Sequence, residues 1–147
     1  LLVFARKLSN AQCNVSINDE REVVNTIEVK DAIKGEAVVY RFAGELTYIN
    51  SKSHIERIQR ISSDKGIILN FKNLFYIDVD GIEALDEIID DLKRRNQSIF
   101  VTGIGEHISK FLKHHAWYEE LLKENKVLGT TYEALGKVQT LSLNNLK

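Results

Sequence analysis

The fold turns on FYIDVDGIEAL, residues 75–85. Aromatic and aliphatic residues lead into two aspartates one residue apart, Asp78 and Asp80, then Gly81, then an amphipathic helix pattern. Ile82, Leu85, Ile88, Ile89 and Leu92 fall on a single apolar stripe of that helix. Just upstream, GIILNF at residues 66–71 is an apolar run without clean alternation, as expected of a strand buried on both faces. A strand therefore hands over to a helix at the aspartates. The pair can serve as a helix cap, a metal or catalytic pair, a phosphate-binding turn or a regulatory position.

Working outward, strands and helices alternate with short connections. Residues 23–29 and 37–42 read as strands; Gly44 marks a bulge or bend, and the apolar pattern resumes over 46–49. Asn50 or Ser51 can cap a helix carrying Ile55, Ile58 and Ile61. After the central helix, Asn96-Gln97 closes it and residues 98–102 form another buried strand. A helix from about Glu106 directs Ile108, Phe111 and Leu112 inward, and residues 117–123 add a short helical turn. Thr130 with Glu133 is a capping-box pattern opening a last helix with Leu135 and Val138. This order predicts an α/β domain, a mixed, partly parallel sheet packed against helices, over residues 23–138. Residues 139–147 read as a frayed tail and 10–22 as a polar linker.

The 147 residues suit one domain, and 44% hydrophobic with 28% charged residues is a globular composition. A net charge of -1 supplies no basic field for nucleic acid. Cys13 is the sole cysteine, so no internal disulfide forms; the simplest reading is a small apolar residue in a reducing compartment. Leu1, Leu2, Val3, Phe4 and Ala5 precede Arg6 and Lys7. Apolar first and basic second is the pattern at the cytoplasmic end of a membrane helix. A short helix packing Leu1, Phe4 and Leu8 on the domain accounts for it equally.

Chemistry has little to stand on. No histidine or further carboxylate joins Asp78 and Asp80 at metal-ligand spacing. Glu83, Asp86, Glu87, Asp90 and Asp91 follow on the helix, opposite the apolar stripe, and Lys93, Arg94 and Arg95 come late, an order that complements the helix dipole. A solvated face is expected there. His107 and His114 are too far apart along a helix to share a metal, His115 completes no set, and His54 stands alone at a helix start as a second cap or a packed surface residue. Gly103-Ile104-Gly105 is a plain strand-to-helix turn, without the third glycine of a dinucleotide fingerprint. No catalytic residue, metal or cofactor is assigned. Asp80 sits where an N-cap belongs, accepting from the amide of Ile82 or Glu83, while Gly81 lets another surface approach closely.

Two motifs now line up with a known family. VYRFAGELTYIN at residues 39–50 resembles the opening of the STAS domain of SulP-family anion transporters: a strand, a glycine bend, a short strand, then a capped helix. ILNF at 68–71 with YIDVDGIEAL at 76–85 resembles the family's next landmark, a strand and an Asp-x-Ser/Thr/Asp-Gly turn entering the second helix. The resemblance covers about residues 23–138 and implies the fold of bacterial anti-sigma factor antagonists. In those relatives the residue before the glycine is a serine or threonine phosphorylated by a partner kinase; here it is Asp80. A carboxylate carries about one negative charge against about -1.5 to -2 for phosphoserine, so Asp80 resembles a permanent but incomplete version of the charged form. Asp78 corresponds to the aspartate that opens the motif and holds the turn.

The resemblance implies a non-enzymatic regulatory or assembly domain on the cytoplasmic face of a membrane transporter of sulfate or a related anion. Residues 1–22 are then the exit of the last membrane helix plus a linker. The implied partners are the transporter's own membrane domain, a cytoplasmic regulatory protein, and a second copy through the parent transporter. Docking is expected around Asp78, Val79, Asp80 and Gly81, with Glu83, Asp86 and Glu87 beside them. Two alternatives stand: a freestanding signalling protein of the anti-sigma antagonist type, and a weak nucleotide or anion binder using the helix N-termini at Gly81 and Gly105.

Overall fold

Val38, Tyr40 and Phe42 turn to one side of a sheet and Ala37 and Val39 to the other, and the protein is built round that division. A computed structural model describes residues 13–18, 37–61 and 66–145, with backbone alone at 13–18 and 139–145. The elements in order are β1 (Cys13–Asn18), β2 (Ala37–Leu46), α1 (Ser51–Gln59), β3 (Ile67–Ile77), α2 (Val79–Arg94), β4 (Ile99–Thr102), α3 (Glu106–Leu112), α4 (Ala116–Lys123), β5 (Val127–Leu128) and α5 (Thr131–Asn145).

The described strands form one five-stranded sheet in the order β1-β2-β3-β4-β5. Every described pair is parallel, where a mixed sheet was expected. Sequential parallel strands joined by right-handed crossovers put their helices on one face. Accordingly α1 to α4 cover the face bearing Val38, Tyr40, Phe42, Leu69, Phe71 and Val101. The last helix, α5, packs Ala134 and Val138 on the opposite face against Val39, Ile68 and Phe100. With both faces covered, Ile67 to Phe71 are all buried, as the unbroken apolar run predicts.

Several boundaries differ from the sequence reading. The polar stretch expected to be a linker contains β1, paired along β2 from Ala37 to Arg41. The strand expected at 23–29 and the apolar start at 1–8 lie outside the described residues. The stretch expected to fray belongs to α5, whose backbone continues to Asn145. Phe111 is exposed, because Ile108 and Leu112 supply the inner face of α3. Gly44 marks the expected irregularity, with φ at +78°.

The irregularity reaches further than a bend. Opposite β2, the register with β3 slips between Arg41 and Ala43 and again between Gly44 and Glu45. From Arg41↔Asn70 to Ala43↔Asn73, β3 spends one residue more than β2, and it does so again by Glu45↔Tyr76. Extra residues of this kind break strict alternation. Leu74 and Ile77 stay inside, while Phe75 and Tyr76 are turned out to solvent.

Candidate functional site

The turn that follows Ile77 is fixed by one side chain. Asp78 is in extended conformation and is the N-cap of α2; its Oδ1 accepts from the Gly81 amide at 2.7 Å. Its Oδ2 accepts from the Tyr48 amide at 3.2 Å, reaching across to the β2–α1 loop. The Asp78 amide in turn donates to the Leu46 carbonyl at 3.2 Å. The cap therefore belongs to Asp78 and not to Asp80. The helix begins one residue earlier than expected, so Asp80 lies within its first turn. There its charge faces the positive end of the helix dipole, a modest stabilisation.

Gly81 explains the close approach. A Cβ at this position would lie 2.1 Å from the Leu46 carbonyl oxygen. Only a glycine lets the first turn of α2 rest on the end of β2. The neighbouring loop has its own ties. Asn50 occupies the N-cap position of α1 without capping it; its Oδ1 accepts from the Thr47 amide at 2.9 Å and its Nδ2 donates to the Glu45 carbonyl at 2.7 Å. Two adjacent connections are thus locked to each other through Asp78 and Leu46.

What they hold outward is unusual. Tyr48 and Ile49 are each 71% exposed, Phe75 71%, Tyr76 57% and Val79 70%. Asp80 and Glu83 are beside them, Asp80 exposed and Glu83 exposed. Asp80 makes no side-chain hydrogen bond or ion pair among the described residues. The apolar pattern over 46–49 is therefore half wrong: Leu46 and Thr47 are buried, but Tyr48 and Ile49 form a displayed turn.

Other singled-out residues have structural employment. Asp86, expected on a solvated face, accepts from Trp117 Nε1 at 2.6 Å and from His115 Nδ1 at 3.0 Å, joining α2 to α4. Arg95 caps the end of α1, donating through Nη2 to the Ile58 carbonyl at 3.1 Å and through Nη1 to Ile61, while Asp91 holds its Nε at 3.0 Å. Glu87 is exposed. His107 Nε2 donates to the Leu74 carbonyl at 3.0 Å. Glu133 donates its amide to Thr130 Oγ1 at 3.1 Å, as the capping-box pattern predicts.

His54 was misplaced by sequence. It is 2% exposed, packed against Tyr40 and Phe42, and joined to the Tyr40 hydroxyl by a 2.5 Å hydrogen bond between that oxygen and Nδ1. Burial, with the Arg57 charge nearby, lowers its pKa from 6.5 to about 4, so it is neutral near pH 7. A lone histidine at a helix start gives no hint of this; the signal would have been its place one turn before Ile58 on the buried stripe.

Among the described residues no group of three or more His, Cys, Asp or Glu could hold a metal. An open groove of about 350 Å³ lies at the opposite end of β4, lined by Lys93, Gln97, Glu120 and Lys126 among others. Its cations are paired, Lys93 with Glu120 at 2.7 Å and Lys126 with Glu124 at 3.1 Å. Gly103 (φ +70°) and Gly105 form a plain turn into α3. Among the described residues no helix is long and apolar enough to cross a membrane.

The model of the STAS domain family matches residues 26–131. No curated protein matches the sequence. Among solved structures, the SulP transporter STAS domain from Vibrio cholerae superposes with a TM-score of 0.59 at 22% identity, over 77% of this chain and 87% of that one. The murine solute carrier 26 family member A9 anion transporter, in its inward-facing state, gives 0.60 at 18% identity over 71% of this chain and 18% of its own. The anti-sigma factor antagonist SpoIIAA in its unphosphorylated form gives 0.52 at 18% over 70% and 89%. At these identities the three establish a shared fold.

Proposed function

Because this chain belongs to the STAS domain family, with residues 26–131 matching that family, we propose that it is the cytoplasmic regulatory STAS domain of a SulP-type anion transporter. Its substrate would be sulfate or a related anion, moved by a membrane part and not by this domain. The observation that carries the reading is the turn at residues 78–81. Asp78 locks it to the β2–α1 loop, and Asp80 is left exposed on it at the position where antagonist relatives carry a phosphorylated hydroxyl. In this reading Asp80 is a fixed charge that tunes docking to the transporter's own membrane domain or to a cytoplasmic regulatory protein. Glu83 and Glu87 extend the same surface, whereas Asp86 is committed to Trp117 and His115. A second copy would be brought close through the parent transporter.

The anion-binding alternative is disfavoured at this turn by simple electrostatics. The Asp78 carboxylate already takes the Gly81 amide, and Asp80 adds a second negative charge where an incoming anion would sit. The freestanding antagonist reading shares the fold, and the gene sequence upstream of Leu1 distinguishes it from the transporter. The direct test is anion uptake by the full-length transporter carrying Asp80→Asn or Asp80→Ala. A changed uptake rate, assembly or partner affinity is expected; no change in any of the three removes the regulatory role.

A further inference from the structure

Five of the eight large apolar side chains that stand exposed among the described residues belong to the end of β3, the start of α2 and the β2–α1 loop, the three segments that meet at Asp78: Phe75, Tyr76, Val79, Tyr48 and Ile49. Scattered apolar residues on a surface mean little, but a group gathered in one place and rimmed by charge marks a contact surface. This group is also preorganised. Bulges in the β2–β3 pairing turn Phe75 and Tyr76 out, and the Asp78 carboxylate holds the loop that presents Tyr48. A surface whose backbone is already fixed loses little entropy on binding.

We propose that this patch docks a basic amphipathic segment of a partner protein. The partner's apolar side chains lie on Phe75, Tyr76, Ile49 and Val79, and its Lys or Arg side chains meet Asp80 and Glu83. The proposal rests on the regulatory reading of this turn and adds the chemistry of the partner. Charge selects the occupant. Exposed Glu45, Asp80 and Glu83 flank the patch residues, against Lys52 in the first turn of α1 and Lys72 three residues before Phe75, so acid is in excess. A second copy apposed here about a two-fold axis would set Asp80 and Glu83 against acidic equivalents, and like charges across a desolvated interface are costly. An anionic lipid surface is repelled by the same rim. A basic segment meets both the apolar patch and its charge.

The probe is a synthetic amphipathic helix of leucine and lysine, with a second peptide in which glutamate replaces every lysine. Binding is followed by amide chemical shifts in the isotope-labelled chain. The lysine peptide is expected to move the amides of Tyr48, Ile49, Phe75, Tyr76, Val79 and Asp80, and the glutamate peptide to leave them alone. Phe75→Ser should weaken binding about tenfold. The double variant Asp80→Lys, Glu83→Lys should reverse the preference, with thermal midpoints showing that each variant is folded. Shifts that map elsewhere, or equal binding of both peptides, overturn the proposal. So does a concentration-dependent dimer, or binding to phosphatidylserine vesicles, that Phe75→Ser abolishes, since either names a different occupant. If the peptide fails but Asp80→Asn still alters transport, the partner chemistry is wrong and the regulatory reading stands. Peptide binding at the patch with transport unaltered by Asp80→Asn supports the docking chemistry while removing the regulatory reading.

Discussion

Two turns leave the carboxyl ends of neighbouring parallel strands and enter helices through glycine, yet they differ in what they hold and what they expose. Between β3 and α2 a carboxylate ties two loops together, and Phe75, Tyr76 and Val79 point to solvent. Between β4 and α3 no side chain caps the helix. There Ile104 packs on the core and Ile108 is buried, while His107 reaches back to Leu74. One turn stiffens its backbone and displays apolar groups; the other draws them in and supports the fold. Rigidity combined with apolar exposure is what the proposed contact surface has and the plain connection lacks.

The largest expected effect separates the two glycines. In Gly81→Ala the new Cβ meets the Leu46 carbonyl at 2.1 Å, and backbone cannot swing away. We expect a loss of about 3 kcal/mol, measured by urea unfolding. In Gly105→Ala the nearest atoms belong to the His107 ring, at 2.7 Å, and a side chain can yield. A loss of about 1 kcal/mol or less is expected. Equal losses would erase the distinction between the turns.

The displayed turn should also owe support to a buried neutral histidine on α1, the helix its partner loop enters. His54 has a pKa of about 4 when folded, against 6.5 for a histidine in water, so the unfolded chain takes up the proton first as pH falls. The stabilisation is complete above about pH 6.5 and is lost progressively towards pH 4, by about 3 kcal/mol in all. Unfolding free energies measured across that interval, compared with His54→Gln, should lose this share of the pH dependence in the variant.

Smaller effects sharpen the division between the two aspartates. Asp78→Ala removes the cap and the tie to Tyr48, for about 1–2 kcal/mol, with faster hydrogen exchange at the Tyr48 and Gly81 amides. Asp80→Asn should change stability by no more than about 0.5 kcal/mol, because its charge is exposed and only the helix dipole feels it. Holding and display then reside on different residues two positions apart.

Much of the fold was legible because patterning is a local signal. The stripe of α2, the doubly buried start of β3, the Gly44 irregularity and the Thr130–Glu133 cap each announce themselves within a few residues. The site was legible in place but not in detail. Which aspartate caps α2 depends on where Leu46 and Tyr48 arrive from another strand, and Gly81 is explained by the same carbonyl. Phe75 and Tyr76 read only as an apolar run leading into the aspartates, because the bulges that expose them arise from pairing with β2. Asp86 and His54 look solvated until Trp117 and Tyr40 are placed beside them. In every such case the missing information was a partner at least 14 positions away.

The proposed function divides the turn, with signal on Asp80 and structure on Asp78. Under the proposed transporter reading, its most direct test is anion uptake by the full-length parent protein with Asp80→Lys, set beside Asp90→Lys on the same helix. A several-fold change in uptake is expected for Asp80→Lys and an unchanged rate for Asp90→Lys, with both variants folded and the thermal midpoint of Asp80→Lys lowered by only a few degrees, about what the helix dipole requires. Uptake that is unaltered in both, or altered equally, would contradict it.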